Sequence, residues 1–200
     1  MNIEICTIDD VIKKDFLFEC RYEVFSKRLR WDVIVNDGKE YDQYDNNNAT
    51  YIIISEDYEI IASVRLIETK HPHLLTGSFN NFFSCRSNST IEATRFFVRK
   101  KMTNRKKPVC QILFSSMIEY CITKGHNSIM AIVGSGMNKL LDKYSWTHEI
   151  IEKCFIEEKT AYLINLPVSL EICKKIKENA SIDPYKYFMP IVKEDHKERL

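Results

Sequence analysis

An α/β sandwich is the fold that this sequence predicts, on three observations. The first half offers one amphipathic helix followed by runs that alternate at the strand period. The second half alternates strand signals with helix signals, a pattern that a helical bundle does not produce. The chain has 200 residues, 44% hydrophobic and 28% charged, enough to bury one sizeable core. Residues 1–178 are therefore expected to form a single domain.

The elements follow in order. Thr7-Ile8-Asp9-Asp10 offers an N-cap hydroxyl with a carboxylate three residues on, and Ile12, Phe16, Cys20 and Val24 recur at helical spacing. A long first helix over about residues 8–30 is expected. The stretch from Asp32 to Asn48 is polar, with Asn36-Asp37-Gly38 and Asn46-Asn47-Asn48 as turn chemistry, and reads as a mobile loop. Ala49 to Ser55 and Ile60 to Glu68 are strand-like, and the polar turn Glu56-Asp57-Tyr58-Glu59 between them predicts a hairpin. His71 to Ser89 is irregular and aromatic, and Thr90 to Val98 is a further strand. Pro108 opens a helix whose apolar stripe is Ile112, Leu113, Met117 and Tyr120 and whose stop is Lys124-Gly125. Ile129 to Val133 reads as a short buried strand, Met137 to Tyr144 as a short helix and Ala161 to Leu166 as another strand. Residues 179–200 are polar and mixed in charge, which predicts a peripheral tail.

Composition narrows the function classes. Lysine plus arginine number 29 against 28 acidic residues, so no global field attracts nucleic acid. Cys6, Cys20, Cys85, Cys110, Cys121, Cys154 and Cys173 lie in apolar segments with no C-x-x-C pair and no histidines at metal spacing, which predicts buried reduced thiols and no metal. The N-terminus carries Glu4, Asp9 and Asp10 where a signal peptide would be basic, and no uncharged run approaches the roughly 18 residues of a membrane span. A cytoplasmic location and no membrane span are expected.

The chemistry-bearing residues cluster early. Arg21, Phe25 and Arg28 fall at i, i+4 and i+7, hence on one helix face, with Trp31 just beyond. From these alone, a core role for the aromatics with solvated arginines stands equal to a binding role. Asp42 and Asp45 shift the balance, because two carboxylates beside arginines and aromatic walls can hold an amine, a carboxylate and a sulfonium together. A calcium loop from Asp45 fails, since Ala49 stands where a ligand is required and Thr50 where glycine is. Strand alternation puts Ser63, Arg65 and Ile67 on the face opposite Ala62, Val64 and Leu66. Glu92 and Arg95 fall on opposite faces of their strand, so they can serve one site only if a bulge lies between them.

Arg21, Phe25, Trp31, Asp42, Asp45, Arg65, Glu92 and Arg95 resemble, in order and spacing, the recognition positions of the acyl-homoserine lactone synthases, the autoinducer synthases of bacterial quorum sensing. The run Arg21-Tyr22-Glu23-Val24-Phe25-Ser26-Lys27-Arg28-Leu29-Arg30-Trp31 carries that resemblance most closely. It implies the three-layer α-β-α sandwich of the GNAT acyltransferases, with a mixed, splayed central sheet that holds an acyl-pantetheine arm. It implies S-adenosylmethionine as a substrate and no cofactor, acyl carrier protein as the thioester partner, and release of methylthioadenosine.

The same resemblance gives Glu92 and Arg95 the catalytic roles, in a solvated cleft, and Arg21, Phe25, Trp31, Asp42, Asp45 and Arg65 the S-adenosylmethionine site, with Trp31 and the Asp42–Asp45 loop as a lid. The acyl chain is expected against Phe79, Phe82, Met117 and Ala131, and alanine at position 131 hints at an unsubstituted acyl group. Arg99, Lys100, Lys101, Arg105, Lys106 and Lys107 form the densest basic run and are expected to dock the acidic carrier protein, with Lys139 and Lys143 as the other basic surface. An N-acetyltransferase using acetyl-coenzyme A ranks lower, because the turn Arg99 to Lys107 lacks the glycines of a pyrophosphate loop. A non-catalytic signal-binding domain is the remaining alternative.

Overall fold

The computed structural model describes residues 1–9, 14–77, 89–99, 108–156 and 158–186. In chain order these form β1 (Asn2–Thr7), α1 (Lys14–Arg21) running into a π-helix (Tyr22–Arg28), β2 (Val35–Asn36), β3 (Lys39–Glu40), β4 (Ala49–Glu56), β5 (Glu59–Glu68) and β6 (Thr90–Val98). There follow α2 (Val109–Thr123), β7 (Ser128–Gly134), α3 (Ser135–Lys143), β8 (Glu149–Ile156), β9 (Lys159–Pro167) and α4 (Leu170–Asn179). Seven strands make one sheet in the order β1-β4-β5-β6-β7-β9-β8. Only β6 and β7 pair in parallel among these neighbours.

The hydrophobic pattern explains why the sheet is covered on both sides. Ile52, Ile54, Ala62, Val64, Leu66, Ile91 and Ile129 face the core beneath α2 and α4, with Leu113, Phe114, Ile118 and Trp146. Tyr51, Ile53, Ile67 and Phe97 face the other way, against Leu17, Phe18, Val24 and Phe25 of the first helix. Three layers result, as the sequence predicts, and the alternation expected for β5 holds. The strands are buried on both faces, so β4 reads as a continuous apolar run rather than an alternating one.

β6 and β7 pair only at Thr90↔Ser128, Ile91↔Ile129 and Glu92↔Met130, although both strands continue beyond. The sheet therefore splays from Glu92 onward, opening a V between two otherwise central strands.

Several elements differ from expectation. The first helix does not start near residue 8: Thr7 ends β1 opposite Thr50, and the alternation of Ile3 and Ile5 is the strand signal there. β8 and α4 lie in segments without a sequence assignment. Ser169 caps α4 by accepting the Ile172 N–H at 3.2 Å. Within the expected loop, Asp37 (φ 48°) and Gly38 (φ 74°) make a two-residue turn that pairs Asn36 with Lys39. Both central residues have positive φ, the geometry that an Asp-Gly pair supplies, so this stretch is a hairpin. Asp57 and Tyr58 likewise have positive φ and close the β4–β5 hairpin.

The described cysteines are free, and Cys110, the most accessible, is half-buried; Cys85 lies outside the described residues. Burial pushes the Cys20 thiol up to about 11 and those of Cys110 and Cys121 up to about 12, which keeps them protonated and inert. No helix among the described residues is long and apolar enough to cross a membrane.

α4 is fastened to α2 by an ion pair between Lys177 and Glu119, both almost fully buried. Breaking a buried pair strands the remaining charge, at about 3–5 kcal/mol. Glu119→Gln should therefore lower unfolding stability by roughly that amount in urea titrations. Replacing both partners with apolar residues, Glu119→Leu with Lys177→Met, should recover most of the loss.

Candidate active site

The site begins where α1 changes winding. The π-helix advances less rotation per residue than an α-helix, so Arg21 and Phe25 stay on the buried face while Arg28 leaves it. Arg28 is exposed and donates from Nη1 to the Val98 carbonyl at 3.2 Å. The helix ends in an αL cap: Arg30 takes φ 56° and its N–H donates to the Ser26 carbonyl at 3.1 Å, and Trp31 N–H donates to the Phe25 carbonyl at 2.9 Å. This reversal lays Trp31 on Phe25, ring centroids 5.1 Å apart and planes 21° apart. Phe25 is buried, whereas Trp31 is 44% exposed.

Inside this helix, three arginines and three carboxylates alternate in a closed ring. Arg21 donates from Nε to Glu40 at 2.6 Å and forks onto both oxygens of Asp45 at 2.7 and 3.0 Å. Asp45 reaches Arg65 at 3.0 Å, and Arg65 forks onto Asp42 at 2.6 and 3.1 Å. Asp42 accepts from Arg95 Nη2 at 2.8 Å, and Arg95 returns to Glu40 through Nε at 2.9 Å. Each arginine also meets an aromatic ring: Arg21 over Phe18, Arg65 over Tyr44 and Arg95 over Phe25, at 5.2, 5.8 and 5.8 Å.

The ring lies almost out of water. Side-chain exposure is 1%, 0% and 13% for Arg21, Arg65 and Arg95 and 0%, 7% and 2% for Glu40, Asp42 and Asp45. Burial alone would raise the Asp45 carboxyl, but the charges of Arg21 and Arg65 outweigh it and hold it well below the usual range. Tyr51 donates to Asp45 at 2.6 Å, and burial with that neighbouring carboxylate pushes the phenol up. Asp42 N–H donates back to Asp45 and Tyr44 N–H to Asp42, so the segment expected to be a mobile lid is pinned at both aspartates. The aspartates face arginines, and their oxygens are occupied within the protein.

Glu40 opens the acidic run Glu40 to Asp45 but has no site role in the reading of the sequence. It comes from β3, the second strand of the small hairpin, and the Asp37-Gly38 turn was the signal that could have found it.

The bulge required between Glu92 and Arg95 is present. Arg65 pairs with Thr94 but Ser63 with Phe97, so β6 carries an extra residue there. Arg95 adopts φ 55°, a left-handed conformation that costs a non-glycine residue about 1–2 kcal/mol. The bulge turns Arg95 to the face that also carries Glu92 and Thr94, and Thr94 accepts from Arg65 Nε at 3.0 Å.

Glu92 itself is fully buried, not in a solvated cleft. Its two oxygens accept the N–H groups of Leu74 and Leu75 at 3.1 and 2.8 Å. Burial raises its carboxyl, and this outweighs the opposing pull of His73, the two N–H donors and Arg65. The clamping turn packs on Tyr44: a Cβ on Gly77 would lie 1.8 Å from the Tyr44 hydroxyl, so a larger residue there would displace the Tyr44 side chain.

Other expected residues lie elsewhere. Met117 and Ala131 are buried in the core between the sheet and α2, while Phe79 and Phe82 are outside the described residues. Lys100, Lys101, Arg105, Lys106 and Lys107 are also outside them. Arg99 is engaged within the protein, donating to Glu23 and Glu59 at 3.2 and 3.3 Å and to the Ile60 carbonyl at 3.1 Å, which leaves it little charge to offer a partner. Lys139 and Lys143 on α3 are exposed.

A carboxyl held low in the folded state stabilises above its unfolded value, near 3.9 for aspartate, and loses that contribution as pH falls through its folded value. Asp45→Asn should therefore be less stable than wild type at neutral pH, with a gap that narrows as acid unfolding proceeds. Melting temperatures measured from pH 7 downward test this.

The chain matches the autoinducer synthase family model over residues 7–176. It is 39% identical over 167 residues to the acyl-homoserine-lactone synthase of Pectobacterium carotovorum subsp. carotovorum, covering 80% of this chain and 77% of that one. Its fold is similar to the CoA-dependent acyl-homoserine lactone synthase BjaI with SAM and isopentyl-CoA, with a TM-score of 0.80 at 16% identity over 90% of both chains. It also resembles an acyl-CoA N-acyltransferase from Pseudomonas aeruginosa, at a TM-score of 0.58 and 10% identity, over 84% of this chain and 99% of that one. The chain belongs to the autoinducer synthase family, and it is an acyltransferase that makes an acyl-homoserine lactone.

Proposed function

We propose that the substrates are S-adenosylmethionine and an acyl thioester on acyl carrier protein. The amine of S-adenosylmethionine attacks the thioester carbonyl, a C–N bond replaces the C–S bond, and the carrier thiol leaves with a proton. The methionyl carboxylate then attacks its own γ-carbon, breaking the C–S⁺ bond, closing the lactone and releasing neutral methylthioadenosine.

The observation that carries this reading is Glu92. Its buried carboxylate sits at the last paired position before the V between β6 and β7 and on the same sheet face as the charged ring. Only a neutral amine attacks, and α-amino groups titrate near about 8, so a carboxyl raised by burial is a suitable base. Leu74 and Leu75 N–H groups hold it in place. The V gives the pantetheine arm a route to it, and backbone N–H groups of the bulge from Arg95 to Phe97 are the donors for the tetrahedral oxyanion. Trp31 on Phe25 supplies an aromatic surface for the adenosyl-sulfonium part. Met117 and Ala131 receive the acyl chain, with Ala131 offering no hydroxyl to a 3-oxo group. The basic run from Lys100 to Lys107 docks the carrier.

A CoA thioester is the second reading for the donor, favoured by the fold similarity to a CoA-dependent synthase. Methylthioadenosine release from S-adenosylmethionine, measured with matched acyl carrier protein and acyl-CoA donors, separates the two. Higher kcat/KM with the carrier protein is expected. Glu92→Gln should lower kcat of the folded protein by about 10²–10⁴, with a lower melting temperature because its amide N–H₂ would face one of the two N–H donors. The acid limb of wild-type kcat/KM should lie above the ordinary glutamate value of about 4.3, because the base must be deprotonated. Full turnover by a folded Glu92→Gln protein would remove Glu92 from the chemistry.

A further inference from the structure

We propose that Glu40 is a positioning residue that aims Arg95 at the carboxylate of the substrate's amino-acid half, which also fixes which of the three arginines meets substrate. This rests on S-adenosylmethionine being the substrate.

The three guanidinium groups differ in which of their nitrogens are engaged and in how far they reach solvent. Arg21 commits Nε, Nη1 and Nη2 to Glu40 and Asp45. Arg65 commits Nε to Thr94 and both Nη atoms to the aspartates. Neither guanidinium has more than 1% of its side chain exposed. Arg95 differs on both points. It is 13% exposed, and Nε and Nη2 carry its contacts to Glu40 and Asp42. Its Nη1 donates no hydrogen bond among the described residues. A guanidinium is a rigid planar fork, so gripping the Nε/Nη2 edge presents Nη1 on the other side. A planar fork with a spare donor, set in a ring whose charges otherwise cancel, suits a carboxylate.

Glu40 supplies that grip. One oxygen takes Arg95 at 2.8–2.9 Å, the other takes Arg21 at 2.6 Å, and the residue has no exposed surface of its own. It therefore acts through Arg95 and cannot itself touch ligand. Opposite it, Asp42 holds Nη2, so the guanidinium is fixed from two sides while its backbone is held at φ 55°. A glutamine at position 40 would turn one of these two contacts into a donor facing a donor and would leave the ring with excess positive charge.

The test is calorimetric titration of S-adenosylmethionine and of decarboxylated S-adenosylmethionine, which lacks only the group that Arg95 is said to read. Wild type, Arg95→Gln, Glu40→Gln and the double variant are compared, each checked for folding by its melt. Wild type should prefer the carboxylated ligand by about tenfold or more, the worth of one charge-assisted hydrogen bond. Each single variant should bring that preference close to unity, and the double variant should lose no more, because both act through one guanidinium. A folded Glu40→Gln or Arg95→Gln protein that keeps the wild-type preference overturns the proposal, as does a double variant that loses the sum of the singles. If Glu40→Gln does not fold, Glu40→Asp, which keeps the charge and withdraws it by one methylene, enters the same comparison with the same outcomes. Wild type that binds neither ligand would instead remove the substrate reading.

Discussion

Closure of the ion-pair ring is the constraint on which the rest of this structure depends. Taking a carboxylate or a guanidinium out of water costs several kcal/mol per ion, more than one ordinary pair returns. Here each of the six ions faces two of opposite sign, so no member is buried with a single partner. The members come from the first helix, the small hairpin, the loop after it, β5 and β6. Separate pieces of backbone must therefore be in register at once. Buried polar networks of this kind are poor sources of stability and good sources of geometry, and here they fix where a ligand can find a free donor.

The two irregularities of the chain serve that closure. The π-helix keeps Arg21 and Phe25 on one side and, through its αL cap at Arg30, returns Trp31 onto Phe25. The bulge in β6 turns Arg95 from the hydrophobic face beneath α2 to the charged face. The left-handed conformation at Arg95 costs about 1–2 kcal/mol, a strain that its pairs with Glu40 and Asp42 can offset. The splay of β6 from β7 begins two residues before Thr94, so the base, the ring and the opening between strands converge on one short length of β6.

Much of this was legible in the sequence. The residues selected by type and spacing, Arg21, Asp42, Asp45, Arg65 and Arg95, do meet, with Phe25 against them. The bulge could be demanded in advance because strand alternation admits no other way for Glu92 and Arg95 to share a face. Glu40 was not legible as long as Asn36-Asp37-Gly38 counted only as loop chemistry, since a residue in a loop has no assigned direction. Helical periodicity cannot distinguish π from α winding, which is why Arg28 was placed with Arg21. The burial of Glu92 also escaped, because the turn from His73 to Gly77 that covers it has no periodic signature and depends on glycine's contact with Tyr44. Nor could spacing tell that Arg99 is held by Glu23 and Glu59, residues far from it in sequence.

The central claim is that the ring is a preformed, closed scaffold and that substrate is met at Arg95 Nη1, the guanidinium nitrogen of the ring that makes no hydrogen bond among the described residues. A crystal structure of the protein with S-adenosylmethionine tests it most directly. The account predicts that the Arg21–Asp45 and Arg65–Asp42 forks survive unchanged and that the ligand carboxylate lies within hydrogen-bond distance of Arg95 Nη1. A ligand carboxylate seated on Arg21 or Arg65, with either fork opened to admit it, would contradict the account.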